Sequence, residues 1–283
     1  MSSTYILFHG DSDGVCGAAQ ALMVYPDAEL RITKPNRLFI DLEHLPQKSR
    51  IIIIDIALDI QIYNGILYKF KEIVQNGGEI IYIDHHKISS QLLRDNIAAA
   101  IKYVYEEGIS AAELTNRAFN LQNNNRAVML AYYGAFADYL DSTPLMESLL
   151  KTIDRRNLIL EASLLSTALE TMDIFMKIKT TKDLASGLRP SEIQYVLFHA
   201  LLGLYYENQI YKYVEKNAKR IGQLSVVINP PYQGFLGRAA VYAMTIHNSL
   251  FGLAARYEKE TVDISIRSKT NKVDLSNIAA ELA

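Results

Sequence analysis

Gly77-Gly-Glu-Ile-Ile-Tyr-Ile-Asp-His-His86 decides how this chain is read. Two glycines break the helical pattern before it, and Ile80, Ile81, Tyr82 and Ile83 form a short run of β-branched and aromatic residues, the composition of a buried strand. Three metal-competent side chains follow at once, Asp84, His85 and His86. In an open parallel α/β sheet the carboxyl ends of the strands are where ligands bind.

Upstream, the same arrangement occurs twice more. Thr4 to Phe8 is an apolar run that ends on His9-Gly10-Asp11-Ser12-Asp13-Gly14, and Val15 to Val24 has helical composition. A second strand is expected at Glu29 to Thr33, followed by a turn region with Pro35 and Pro46. Arg50-Ile-Ile-Ile-Ile-Asp55 reads as a strand buried on both faces, again with an aspartate at its end. Ile60 to Val74 carries the apolar spacing of an amphipathic helix. Alternating strands and helices of this kind predict an α/β fold around a parallel sheet.

Downstream the pattern is helical. Ser110 can cap a helix through Asn120, and Arg126 to Tyr139 reads as a long apolar helix carrying Asp138. Further helices are expected from Pro144 to about Met172 and from Ile193 to Ile221, separated by the punctuation Gly187-Leu-Arg-Pro190-Ser191-Glu192. From Gln223 the chain returns to mixed α/β: a strand at Leu224 to Ile228, a turn at Pro230-Pro231, a helix near Gly237, strands at Phe251 to Tyr257 and Val262 to Arg267, and a final helix capped by Asp274.

A chain of 283 residues is long for one small core and suits two domains. With 49% hydrophobic and 21% charged residues, it has the composition of an ordinary globular protein, not a disordered one. A net charge of −2 argues against a surface coated in basic residues but leaves room for a local basic groove. One cysteine, Cys16, excludes an internal disulfide, and no stretch reads as a signal peptide or membrane span, so the expected compartment is the cytoplasm, with no membrane partner.

The polar groups at the ends of buried elements are His9, Asp11, Asp13, Asp55, Asp84, His85, His86 and Asp138. Taken singly, several have plain structural readings; Asp11 to Gly14, for example, also spells a turn and a helix cap. Five carboxylates brought together in a partly desolvated site repel one another unless cations neutralise them. An Asp/His set without cysteine favours manganese over zinc, iron or magnesium. Two ions roughly 3.5–4 Å apart would clamp the attacking and leaving oxygens of a phosphoryl group.

The order and placement of these groups resemble the four motifs of the DHH phosphoesterase superfamily: an Asp-x-Asp loop (Asp11, Asp13), an Asp after a hydrophobic strand (Asp55), Asp-His-His (Asp84 to His86) and a helical Asp (Asp138). Gly234 to Ala240, Ile264 to Ser268 and Val273 to Ala279 resemble its DHHA1 substrate-binding domain. The resemblance implies a parallel-sheet catalytic domain over residues 1–187, a helical connector over 188–221 and a smaller α/β DHHA1-like domain over 222–283. The chain ends at Ala283, where the glycine-rich segment of DHHA1 domains would be expected to begin.

The same resemblance implies two divalent ions, manganese or else magnesium, held by Asp11, Asp13, Asp55, His85 and Asp138, with Asp55 as the bridge and His9 as a further ligand. His86 would face the scissile phosphate or its leaving group, Asp84 would orient a histidine, and Arg267 would meet a substrate phosphate. His-x-Asp-x-Asp-Gly resembles the RecJ-like and oligoribonuclease-like members. The expected function is therefore a single-strand-specific exonuclease on DNA or RNA, with roles in replication or repair. The alternatives are a replication scaffold that binds the GINS complex and a phosphatase of nucleotide fragments such as phosphoadenosine phosphate.

Overall fold

The computed structural model describes residues 3–88, 90–232, 234–259, 261–270, 273 and 275. Its first strands and helices alternate along the chain: β1 (Thr4–Phe8), α1 (Ser12–Val24), β2 (Glu29–Ile32), α2 (Leu38–Glu43), β3 (Arg50–Ile54), α3 (Tyr63–Gln75), β4 (Glu79–Asp84), α4 (Gln91–Ala100) and β5 (Lys102–Tyr105). Parallel neighbours require a crossover of a dozen residues or more, and the helices supply it. All five strands pair in parallel in the order β2-β1-β3-β4-β5. In that order the winding reverses between β1 and β3, which places a ligand crevice at their carboxyl ends.

Side chains alternate across the sheet with the strand period of two. Ile6, Phe8, Ile52, Ile54, Ile81 and Ile83 enter one core with α1, and Leu7, Ile51, Ile53, Ile80 and Tyr82 enter the other with α2 and α3. The isoleucine runs serve both cores, so burial of each such side chain, worth roughly 1.5–3 kcal/mol, locks the strand from both faces. A register slip would exchange the two sets, and the sheet edge is fixed accordingly.

The remaining helices of this part are α5 (Ala111–Ala118), α6 (Asn125–Ala137), α7 (Pro144–Leu149), α8 (Arg155–Leu169), α9 (Ile174–Ala185) and α10 (Gln194–Asn217). Ser110, Asn124, Thr143, Asp154 and Asp173 cap α5 to α9, each side chain accepting from a first-turn amide. The chain forms two compact units, Met1–Ala200 and Leu201–Ala283, with the division inside α10.

The second unit contains β6 (Lys219–Ile221), β7 (Leu224–Ile228), α11 (Leu236–Ile246), β8 (Phe251–Tyr257) and β9 (Val262–Ser268). Its sheet runs β6-β7-β8-β9, parallel only between β7 and β8. Ala239, Ala240 and Ala243 of α11 pack with Val227 and Ala254 from one face. The architecture is thus the one expected, a parallel-sheet α/β unit followed by a smaller α/β unit. The final helix expected after Asp274, and most of Val273 to Ala279, lie outside the described residues.

Several local expectations are corrected. The acidic loop is shorter than expected, because Asp11 caps α1 and the helix starts at Ser12, which puts Asp13 in its first turn. Asp138 is not inside a helix: α6 stops at Ala137 and Asp138 is its C-cap. The helix expected to run to Ile221 ends at Asn217, and β6 follows at Lys219–Ile221. The sequence reading does not contain α2, α4, β5 or α9. α4 buries only Ile97 and β5 is a half-exposed edge strand, so neither carries a strong apolar period.

Candidate metal centre

The parallel ladder continues one residue past the strands. His9 donates its amide to Ile54 O at 3.2 Å, and Asp55 donates its amide to Ile83 O at 3.0 Å. These bonds fix the first candidate ligands on β1 and β3 at the same level as the end of β4. Asp55 has φ of 60°, the left-handed region that Asp tolerates better than most residues, so the chain turns sharply while its carboxyl stays buried. Strained backbone of this kind concentrates at functional sites.

Asp13 is anchored differently. Its two carboxylate oxygens accept from the amides of Ala111 and Ala112, at 2.6 Å and 2.8 Å, at the N-terminus of α5. A carboxylate in that position gains from the helix dipole as well as from both hydrogen bonds. Gly134 of α6 leaves the space, since a Cβ there would lie 2.6 Å from Asp13 Oδ1.

Around these groups the other side chains close in. His9 Nδ1 lies 2.7 Å from Asp11 Oδ2 and 3.7 Å from Asp55 Oδ2. His85 Nε2 stands 3.4 Å from Asp55 Oδ1, 3.6 Å from Asp13 Oδ2 and 3.7 Å from Asp138 Oδ2. His86 Nδ1 donates to Asp84 Oδ1 at 2.7 Å, and Asp84 is wholly buried while the His86 side chain is 43% exposed. His85 is therefore enclosed by carboxylates, whereas His86 is tied through Nδ1 and faces the open side.

Three sets of ligand atoms have all members within 4.8 Å of one another: His9, Asp11 and Asp55; Asp13, His85 and Asp138; and Asp55, His85 and His86. One Asp55 oxygen faces His9 and the other faces His85. The structure thus gathers His9, Asp11, Asp13, Asp55, Asp84, His85, His86 and Asp138. Arg267 stands in the second unit, exposed on β9, with its guanidinium against Gly237 and one Nη donating to Ile266 O at 3.3 Å.

Burial and mutual charge shift the proton affinities within the cluster. Burial, then the charge of Asp138, pushes the Asp13 carboxyl well above the usual range; burial, then Asp11 and Asp13, does the same to Asp55. Burial and Asp11 raise Asp138 to about 6. Asp11 moves the other way: burial opposes it, but the hydrogen bond and charge of His9 hold it below the usual carboxylate range. His85 is lowered by burial and by His86, and His86 is raised because the hydrogen bond and charge of Asp84 outweigh its burial.

A divalent cation fits this donor set. Asp55 Oδ2, Asp84 Oδ2 and His85 Nε2 are buried with no hydrogen-bond partner. Buried polar atoms left without partners are uncommon and call for a specific partner such as an ion. Two of these three belong to the sets above, all oxygen or imidazole nitrogen, the ligands that suit manganese, zinc or magnesium.

A parallel sheet of order 2-1-3-4-5 with a metal-competent Asp/His cluster at its switch point, followed by a small mixed-sheet unit, is similar in fold to solved RecJ and DHH-domain structures. RecJ from Thermus thermophilus, solved with Mn2+, matches 99% of this chain at 14% identity and a TM-score of 0.66, and the chain spans 47%, about half, of that RecJ chain. The DHH domain of a member of a family of ribosomal proteins matches 100% of the chain and is covered over 78%, at 15% identity and a TM-score of 0.69. A pGpG-specific phosphodiesterase, PggH from Vibrio cholerae, matches 99% and is covered over 88%, at 10% identity and a TM-score of 0.56. No protein-family model and no curated protein matches the sequence.

Two features of the site carry no signal in the sequence. The amides of Ala111 and Ala112 that hold Asp13 come from about 98 residues away. Lys177 of α9 reaches Gly10, between His9 and Asp11, from 167 residues away. Neither lies near a motif or a strand end.

Proposed function

We propose that this protein is a metal-dependent phosphodiesterase that degrades single-stranded DNA or RNA oligonucleotides from an end, in the manner of a RecJ-like exonuclease. The observation that carries the reading is the convergence of four separate sequence motifs on one cluster that holds two buried, unpartnered ligand atoms, Asp55 Oδ2 and His85 Nε2. The similarity in fold to a manganese-bound RecJ supports it.

In this reading His9, Asp11 and Asp55 would hold one divalent ion and Asp13, His85 and Asp138 would hold a second. When bound, such ions neutralise the carboxylates, polarise the phosphoryl group and favour a nucleophile at neutral pH. The protein's own residues do the rest. Asp84 accepts from His86 Nδ1 and so fixes the imidazole with Nε2 directed away from it. His86 then presents an N–H to a phosphoryl or leaving-group oxygen, and its raised proton affinity favours that donor form. Arg267 would supply a planar donor fork to a substrate phosphate.

End-labelled single-stranded DNA and RNA incubated with Mn2+ or Mg2+ test the assignment. Wild type should shorten them, and His86→Ala should retain metal while losing about 10²-fold or more in kcat, the scale of removing one preorganised donor. Equal cleavage by both proteins defeats the role of His86, and no cleavage with either metal defeats the phosphodiesterase reading. A narrower substrate class, dinucleotides such as pGpG, is favoured by the similarity to PggH. Rates that peak at two nucleotides and fall with length would select it over the exonuclease.

A further inference from the structure

Lys177, on α9 and outside all four motifs, directs its ammonium at the loop that bears His9 and Asp11. Its Nζ donates to Gly10 O at 2.6 Å. A Cβ at Gly10 would be tight against Ile32 Cγ2, at 3.2 Å, and in ordinary contact with Lys177 Cδ and Nζ, at 3.4 Å and 3.5 Å, so the lysine's end packs directly on this residue. An ammonium carries three donors, and one neutral carbonyl uses one of them. Among the described residues no carboxylate pairs with Lys177 at salt-bridge distance, although the charges of Asp11 and Glu170 act on it from nearby and that of Lys34 opposes them.

A half-buried ammonium held by one neutral carbonyl has donors left for an anion, and the nearest carboxylate of the cluster, Asp11, acts on it only through its charge. Lys34 follows directly on Thr33 after β2, exposed at the same sheet edge. The cluster is therefore flanked on the β4 side by His86 and on the β2 side by two lysines. A single phosphate cannot need both flanks, but a chain of phosphates crossing the edge would meet both.

We propose that Lys177 contacts substrate, receiving the phosphate next to the scissile one, with Lys34 adding charge at the rim. The assignment rests on the phosphodiesterase reading and sharpens it: the preferred substrates carry a second phosphate beside the bond that is cut.

The test uses the full chain with Mn2+ and compares wild type, Lys177→Met and Lys177→Arg on a single-stranded pentanucleotide and on a dinucleoside monophosphate, whose only phosphate is the scissile one. Lys177→Met should raise KM for the pentanucleotide about tenfold, the loss of one charge-assisted contact, with kcat changed by less than about threefold. The dinucleoside monophosphate should be indifferent to the change, and Lys177→Arg should restore most of the affinity. Binding of a non-cleavable phosphorothioate pentanucleotide, followed by fluorescence anisotropy against KCl, should lose about 0.7 from its log–log slope in Lys177→Met, one phosphate contact on a single strand.

Unchanged KM and an unchanged slope overturn the proposal. So does a weaker Mn2+ affinity by calorimetry with KM unaltered, which would make Lys177 only a tie for the Gly10 loop. If wild type neither binds nor cleaves any phosphodiester, the phosphodiesterase reading falls and this one with it; hydrolysis by wild type with identical Lys177→Met kinetics removes this one alone.

Discussion

The two sheets of this protein handle precision in opposite ways. In the first unit five parallel strands are packed between two cores, and the ladder runs on past them to His9 and Asp55. Strand ends held by two cores can carry several like charges at fixed separations, which a metal cluster requires. In the second unit α11 covers one face, and the edge strand β9, which bears Arg267, is largely exposed and paired only to β8. Rigid strand ends suit ligation, whereas on the exposed edge strand the Arg267 guanidinium rests only on Gly237 and the Ile266 carbonyl among the described residues.

Asp55→Asn strikes the rigid side hardest. Asn keeps the tolerance for the φ of 60° at this position, so the turn survives while the shared carboxylate is lost. Mn2+ affinity measured by calorimetry should fall by at least about 10²-fold, beyond the 10–100-fold typical of changes that only support ligands. The metal-free protein should nevertheless melt higher than wild type, because a buried carboxyl crowded by Asp11 and Asp13 is removed. A lower melting point of the EDTA-treated variant would mean that the cluster stabilises the bare fold, contrary to this account.

Gly252→Ala tests the other sheet. A Cβ at Gly252 would lie 2.0 Å from Ala240 O and 2.9 Å from Met244 Cβ, so α11 must lift from β8. Overpacking of this kind costs about 1–3 kcal/mol, visible as earlier loss of structure in the second unit by hydrogen exchange. All the candidate ligand atoms belong to the first unit, so Mn2+ affinity should stay within a factor of about two. A large loss of metal affinity would break the contrast drawn between the sheets.

Much of this is legible in the sequence, for a physical reason. Isoleucine runs such as Ile51 to Ile54 announce a strand buried on both faces, and a polar residue straight after such a run must sit at the sheet edge; that logic locates Asp55, Asp84 and the loop from His9. It fails where the signal is not periodic. β5 is a half-exposed edge strand without alternation, and α4 buries a single residue. The position of Asp138 at the end of α6 escapes the sequence because Ala137, Asp138 and Tyr139 carry no stop signal. Lys177 and the amides that hold Asp13 are contacts across 167 and 98 residues, which only the packing of α9 and α5 on α1 creates.

The smallest expected effect is the pH dependence of the metal-free fold. Asp13 and Asp55 are raised by burial and by their neighbours, and Asp138 reaches about 6, so in the folded chain these groups hold protons that the unfolded chain has already released above its ordinary value of 3.8. His86, raised above 6.5 by Asp84 despite its burial, adds to the same side. Where the folded state binds more protons, stability falls as pH rises. His85, lowered by burial and His86, acts the opposite way up to 6.5, and the lowered Asp11 acts only below 3.8. Four groups against one set the sign between pH 5 and 8. The EDTA-treated protein should therefore lose a few degrees of Tm over that range, at about 2–4 °C per kcal/mol for a unit of this size. Manganese should reverse the slope, since cations bind the deprotonated cluster and release its protons, so the gain in Tm on adding Mn2+ should be larger at pH 8 than at pH 5. A metal-free Tm that climbs with pH would show that the carboxylates are relieved by something other than protons, and the cluster would no longer need a cation to explain it.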